Sequence, residues 1–532
     1  MTQPVRVLVV GYGPVGARFV ENVLPAVRAG SMHVTVVGAE ADDAYNRVLV
    51  AEYAVGGMER GSLTIADRSA AEAAGVRILT GVSVRHLDRG ARTAALSTRE
   101  IVAYDRVVLA TGSRANTPTL AGVPRPKRDV ALLSSLPGEL IAGDDALPHG
   151  VTALRDLADA ERVREAIATG KRLVVLGAGV LGLELALAAV HAGARVAVVH
   201  HGAHPMPRNL DRGGGGVLRQ ALRRTGLAVF AHSRAESVEF RTDDLGERHF
   251  DRLLTADGNQ IEGDLLVLSC GVSPRAELAA LSGLRTGFGV LVDRGLRSWT
   301  DPDVFAIGDC AHIVEELPAD DSAPVPGGPS GLIGPGWRQA DWLAARMLDE
   351  LGGALRDSPA AMDAERQALV MLKAEHVDVV AVGDVSLEPG DDDRTGRDRK
   401  VATWNDPEHL RYVKMVSENG VLTGFVCVGM PRTAAELTLL FERGGELPAD
   451  RSLLLRYDGP DDVPGENGDA FAPTATVCWC NAVTVERIES SAAAGNETVA
   501  CIGRDTRAGT GCGGCKSRIA DVLARHAATV GA

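Results

Sequence analysis

Residues 5–24 read VRVLVVGYGPVGARFVENVL. The opening run VRVLVV has the length and Val/Leu content of a parallel strand buried on both faces. It breaks at Gly11, and Gly13 and Gly16 complete a G-x-G-x-x-G spacing where a helical pattern begins. In a dinucleotide-binding turn the first glycine allows the bend, the second admits a pyrophosphate, and the third lets helix and strand pack closely. A second strand, HVTVVGAE (33–40), ends at Glu40, whose carboxylate is placed to take the adenosine ribose hydroxyls. The alternative is a glycine-rich turn without a ligand.

The same construction returns in RLVVLGAGVLGLELALAAVHAGARVAVVHH (172–201), with Gly177, Gly179 and Gly182 opening the helix. Two such units predict an α/β chain with tandem Rossmann-like domains and two dinucleotides. Glu184 reads either as a first-turn carboxylate on the helix dipole or as a contact near a nicotinamide. The second strand here ends at His200 and His201, with Arg208 downstream, where a ribose-binding acid would otherwise stand. That leans toward NADPH or dual use; in the bland reading both histidines are loop residues.

Two further segments, VVLATGSRANTP (107–118) and TDPDVFAIGDCAHI (300–313), resemble the FAD fingerprints of two-dinucleotide-binding flavoprotein reductases. The resemblance implies FAD at the first glycine motif, with Thr111, Gly112, Gly308 and Asp309 around it and Asp309 on the ribitol. NAD(P)H then falls to the second. It also implies a split FAD-binding domain, 1–125 with 286–350, around an NAD(P)H-binding domain at 150–285. A helix starting near Gly336 and Trp337, after GLIGPG, is expected to aim its N-terminus at the flavin.

The stretch AYNRVLVAEYAVGG (44–57) lacks the reactive cysteine that disulfide- and peroxide-active members of that superfamily carry there. Cys310 beside Asp309 reads as a packing residue. With LGAGVLGLELA, VAVVHHGAHPMPRNLD and CGVSPRAELA, it resembles the N-terminal half of the assimilatory nitrite reductase large subunit and the electron-transfer subunit of assimilatory nitrate reductase. The resemblance puts Arg47 near the flavin, and Gly271 and Pro274 at a turn flanking the nicotinamide.

Residues 351–465 alternate strand-forming runs with Gly/Asp-rich turns, and SENG (417–420) is a hairpin signal. This resembles the small α+β interface domain of the same reductases, a dimerisation or docking surface that leaves a homodimer open. EPGDDDRTGRD (388–398) reads as a loop.

Four of the eight cysteines close the chain as C-x-C, Cys478 and Cys480, then C-x-x-C, Cys512 and Cys515, after 31 intervening residues. Structural zinc, a 2Fe-2S cluster and two disulfides could each use them. A C-x-C pair is atypical of zinc knuckles, and GTGCGGC would let backbone N–H groups turn toward sulfur. The pattern resembles the small helical domain of bacterioferritin-associated ferredoxin, implying a 2Fe-2S cluster within 472–532. Cys501 lies outside the spacing and reads as core.

The 532 residues, 45% apolar and 24% charged, call for three to four domains of ordinary composition. A net charge of −14, without a dense Lys/Arg run, argues against nucleic acid. No window approaches the ~20 apolar residues of a membrane span, and the first run is too short for a signal peptide. The expectation is a cytoplasmic electron-transfer reductase, with no general acid or base, that passes electrons from NAD(P)H through FAD and the cluster to a protein acceptor. That acceptor is expected to be a nitrate or nitrite reductase catalytic subunit, since the chain stops before any sirohaem domain. A ferredoxin- or rubredoxin-type reductase and a cluster-based redox sensor are the alternatives.

Overall fold

The strand Val5–Val10 lies at the centre of a five-stranded parallel sheet, flanked by Met32–Gly38 and Arg77–Thr80 on one side and by Arg106–Leu109 and Val304–Ala306 on the other. Its residues 7–10 are all buried, as a strand covered on both faces requires. The last strand arrives from far down the chain, so this sheet is assembled from segments on both sides of the second glycine unit. The helix Pro14–Arg28 starts with proline at its first turn, where no amide partner is lost. It lays Phe19, Val20 and Val23 into the core and packs along Ile333–Gly352. The structure is a computed structural model that describes residues 3–124, 147–318, 323, 325–352, 361–363, 367, 369–374, 377–390, 396, 398–458, 471–478, 481, 483–510 and 515–530.

A second five-stranded parallel sheet repeats the plan, in the order Ala228–Phe230, Val196–Val199, Leu173–Leu176, Leu265–Leu268, Val151–Ala153. The helix Val180–His191 follows the central strand, with Gly179 extended at its N-cap. The two units share the same backbone device. A Cβ on Gly11 would stand 2.1 Å from the Ala110 carbonyl oxygen, and one on Gly177 would stand 2.1 Å from that of Ser269. Both glycines adopt positive φ, +114° and +120°.

The third sheet is antiparallel, in the order Val370–Ala374, Val377–Gly383, Val421–Val428, Arg411–Glu418, Arg399–Asp406. The SENG hairpin forms as read, with Asn419 and Gly420 both at positive φ (51° and 85°), as a tight two-residue turn demands. The helix Pro431–Arg443 covers one face. The sheet meets the second glycine unit at Asp211, which takes hydrogen bonds from Tyr412 Oη (2.5 Å) and the wholly buried Lys414 Nζ (3.3 Å). Within 388–398, residues 391–395 and 397 lie outside the described ones.

At the C-terminus the helices Val485–Ala493, Val499–Thr506 and Lys516–Val530 close around Val485, Ile488, Ile502 and Ile519, with Thr476–Cys478 and Val483–Thr484 as a short ladder. This is the small helical module the thiol pattern calls for. No helix among the described residues is long and apolar enough to cross a membrane.

Candidate functional site

One cleft of about 1130 Å³ runs between the two glycine units. From the first unit it is lined by Gly11, Gly13, Glu40, Arg47, Thr111 and Gly112, and from the returning segment by Gly308 and Asp309. Gly16 does not line it. Its role is internal, because a Cβ there would lie 2.2 Å from the Gly11 carbonyl oxygen. The helix Pro14–Arg28 therefore points its free N–H groups into the cleft at close quarters, an arrangement suited to a pyrophosphate.

Glu40 follows the end of the strand Met32–Gly38 and meets two donors from the AYNRV loop, Tyr45 Oη at 2.7 Å and the Arg47 guanidinium. Burial pushes its carboxyl up, but the Arg47 charge and the Tyr45 hydroxyl outweigh this and hold it below the usual carboxylate range. Arg47 also lies over the Tyr45 ring and donates to the Arg155 carbonyl.

Asp309 sits in a single 3-10 turn, Gly308–Cys310, entered through the positive φ of Gly308 (73°). It accepts hydrogen bonds from Ser113 Oγ (2.6 Å) and Arg155 Nη2 (2.9 Å). Burial lowers the Arg155 guanidinium, as do the charges of Arg47 and Arg275, against the pull of Asp309. Four arginines thus line the cleft, Arg47, Arg155, Arg275 and Arg338, and sequence reading found only Arg47. Arg155 and Arg275 come from the second unit; Arg275 is fixed through its backbone, whose N–H bonds the Gly112 carbonyl (2.9 Å) and whose carbonyl takes the Thr111 hydroxyl (2.6 Å). Cys310 is fully buried and bonds the Leu109 carbonyl (3.2 Å), the packing role expected of it.

The second unit opens on the same space through Val180, Leu181 and Glu184. Because the helix begins at Val180, Glu184 stands beyond its first turn, so the dipole reading fails and its place in the cleft remains. Gly177 and Gly182 shape the turn from behind, Gly182 lying against the Gly177 carbonyl, while a Cβ on Gly179 would meet open space. Gly271, at φ 84°, accepts the Asn116 N–H and shapes the strand turn that carries Pro274, without lining the cleft.

Three sequence readings need correction. Trp337 does not face the cleft: the helix starts at Ile333, so Ile333, Gly334 and Pro335 form the wall. Trp337 is buried, with Arg18 stacked on its ring. His200 is buried with neither ring nitrogen hydrogen-bonded. Burial, then His201, His204 and His232, bring it down to about 4, so it is neutral near pH 7 and unfit to hold a phosphate. His201 and Arg208 are exposed. Cys501 is half-exposed, within 3.0 Å of Arg504 Nη2, and is not core.

Of the four terminal cysteines, Cys478 and Cys515 are buried, while Cys480 and Cys512 lie outside the described residues. A hydrogen bond from Cys515, joined by the Gly509 and Asn481 donors, holds the Cys478 thiol below the ordinary range against the effect of burial. Two buried sulfurs, with N–H donors turned toward that of Cys478, fit a thiolate-ligated cluster. The cleft, with a helix N-terminus, four arginines and the Glu40 and Asp309 carboxylates in its lining, fits a flavin dinucleotide.

With this geometry in place, the family described as pyridine nucleotide-disulphide oxidoreductase matches residues 5–324. The BFD-like 2Fe-2S binding domain matches residues 476–525. The chain is 30% identical over 527 residues to the NAD(P)H nitrite reductase large subunit of Klebsiella oxytoca, covering 98% of this chain and 49% of that one. It is 25% identical over 525 residues to the assimilatory nitrate reductase electron transfer subunit of Bacillus subtilis, covering 97% and 59%. It therefore spans about half to three fifths of these relatives' length. Among solved structures, the covalent putidaredoxin reductase–putidaredoxin complex shares the fold, with a TM-score of 0.65 at 21% identity over 87% of this chain and 97% of that one.

Proposed function

The chain belongs to the pyridine nucleotide-disulphide oxidoreductase family, and from that premise we propose that it moves electrons from NAD(P)H through FAD and a 2Fe-2S cluster to a separate protein. When bound, FAD accepts a two-electron hydride and releases its electrons one at a time, each to a centre such as the cluster that takes one. The observation that carries the reading is the single cleft shared by both glycine units, with the cysteine module packed beside it.

The chain's own residues hold and orient. The N-terminus of Pro14–Arg28, with Arg47, Arg155 and Arg275, would take the flavin pyrophosphate by charge-assisted bonds. Glu40 and Asp309 are the groups for the ribose and ribitol hydroxyls, each already aligned by a hydroxyl donor and an arginine. The start of Val180–His191, Glu184 and the turn at Gly271 would seat the nicotinamide coenzyme, and Arg208 is the exposed cation left for a 2′-phosphate. Cys478, Cys480, Cys512 and Cys515 are the cluster ligands. No residue is assigned as general acid or base, since a hydride handed directly to flavin asks for alignment and exclusion of water.

We take the acceptor to be a nitrate or nitrite reductase catalytic component, as the names of the relatives indicate, and the compartment to be the reducing cytoplasm. Purified protein is expected to carry one FAD and one cluster per chain, read by flavin absorbance with iron and sulfide analysis. NAD(P)H oxidation should then depend on nitrate or nitrite only when the matching catalytic component is added. Zinc without iron at the cysteine site would end the relay reading.

A further inference from the structure

The cysteine module touches the flavin-binding unit through the residues beside its cysteines. On the helix Pro14–Arg28, Arg18 Nε donates to Asp341 Oδ1 (2.6 Å), Nη1 donates to Asn481 Oδ1 (2.9 Å), and the guanidinium lies 5.0 Å over Trp337. Asn481 in turn donates to the Arg507 carbonyl (2.8 Å) and toward the Cys478 sulfur (3.8 Å). The Arg507 side chain reaches Glu21 and Asn22, each at 3.4 Å. The fourth contact comes from the AYNRV loop. Asn46 is buried, 1% exposed, and its Nδ2 donates to the Thr510 carbonyl at 2.6 Å.

Asn46 uses both ends of its amide. Its Oδ1 accepts the Val48 N–H (3.0 Å) and so shapes the turn that presents Arg47 to the cleft. Its Nδ2 holds a carbonyl two positions before Cys512 in sequence. One buried side chain thus ties the flavin-side loop to the approach to the second cysteine pair, while Arg18 ties the opposite edge through Asn481 to Cys478. Trp337 lies under Arg18 and is only two residues from Pro335 of the cleft wall. A module joined by a tether alone would sample many orientations; these charge-assisted and buried bonds select one.

Resting on the relay reading above, we propose that Arg18 and Asn46 are positioning residues that clamp the cysteine module, by its cysteine-bearing side, onto the flavin-binding unit of the same chain. The clamp fixes the separation over which electrons pass, and neither residue contacts hydride or ligates the cluster. Asn46→Asp keeps the acceptor for Val48 and loses the donor to Thr510. Arg18→Ala removes the second tie without touching the AYNRV loop.

The test is stopped-flow reduction of the loaded protein by NAD(P)H, with hydrogen exchange followed at residues 499–510 and 14–28. Both variants should keep wild-type cluster content, cluster potential and rate of flavin bleaching. Cluster reduction should slow by roughly 10- to 100-fold, because a merely tethered module spends little of its time at the productive separation, and exchange should quicken in both segments. Unchanged cluster reduction and exchange in both variants would overturn the clamp, as would a shifted cluster potential, which would mean that these residues act on the cluster itself. A wild-type cluster never reduced by NAD(P)H would instead defeat the relay reading, and exchange alone would then judge the contact.

Discussion

The two glycine units use one backbone and two different strand ends. In both, a glycine at positive φ lies against a carbonyl that no side chain could approach, and a later glycine packs on the first. The first unit then ends its second strand at Glu40, a carboxylate engaged by Tyr45 and Arg47 and open to the cleft. The second ends at His200, neutral, buried and with neither ring nitrogen hydrogen-bonded. The turn is fixed by sterics common to any dinucleotide, whereas the residue after the strand is free to choose which one.

The largest effect is expected from a methyl group placed where both units forbid it. Gly11→Ala should purify without FAD, because a Cβ 2.1 Å from a backbone oxygen forces the turn apart. Gly177→Ala, with the same clash in the other unit, should keep its yellow colour and lose NAD(P)H reduction of the flavin by roughly 100-fold or more. Flavin absorbance and stopped-flow bleaching read the two separately. If both variants lost FAD, the assignment of one dinucleotide to each unit would fail.

The strand ends should separate under acid. His200 has a folded pKa of about 4 against 6.5 when free, so its contribution to stability is complete above 6.5 and is lost as the pH falls toward 4. Between pH 7 and 5 the loss is about 2 kcal/mol. His200→Leu should flatten the stability profile across that window in urea titrations; an unchanged slope would mean the imidazole is not shielded as the fold shows. Glu40, held below its ordinary value, contributes above about 4.5 and gives way only at still lower pH.

The smallest expected effect concerns the coenzyme. With His200 neutral, Arg208 is left as the candidate phosphate cation, and a charge-assisted bond at an exposed position is worth about 1.5 kcal/mol. Arg208→Ala should raise the KM for NADPH by roughly tenfold and leave that for NADH nearly unchanged. Equal changes would remove phosphate recognition from this loop.

What could be read in the sequence was what short-range sterics dictate. Gly11, Gly177 and the Asn419–Gly420 hairpin each answer to a local backbone requirement, and each forms as expected. Arg155 escaped notice because its partners, Ser113 and Asp309, lie 42 and 154 positions away, and no local pattern marks such a meeting. Trp337 was placed one turn wrong for a different reason. Pro335 and Gly336 looked like the end of a loop, yet proline is tolerated in the first helical turn. The helix therefore opens at Ile333, and Trp337 turns toward Arg18.

In the proposed relay, electrons enter at the flavin and leave by the cysteine module. Cys512→Ser tests it most directly, with flavin bleaching by NAD(P)H, ferricyanide turnover and reduction of the protein acceptor measured on the same preparation. Bleaching and ferricyanide turnover should survive, because none of the module's described residues lines the cleft, while reduction of the protein acceptor should fall by orders of magnitude. A variant that has lost its cluster and still reduces the protein acceptor at the wild-type rate would contradict the relay.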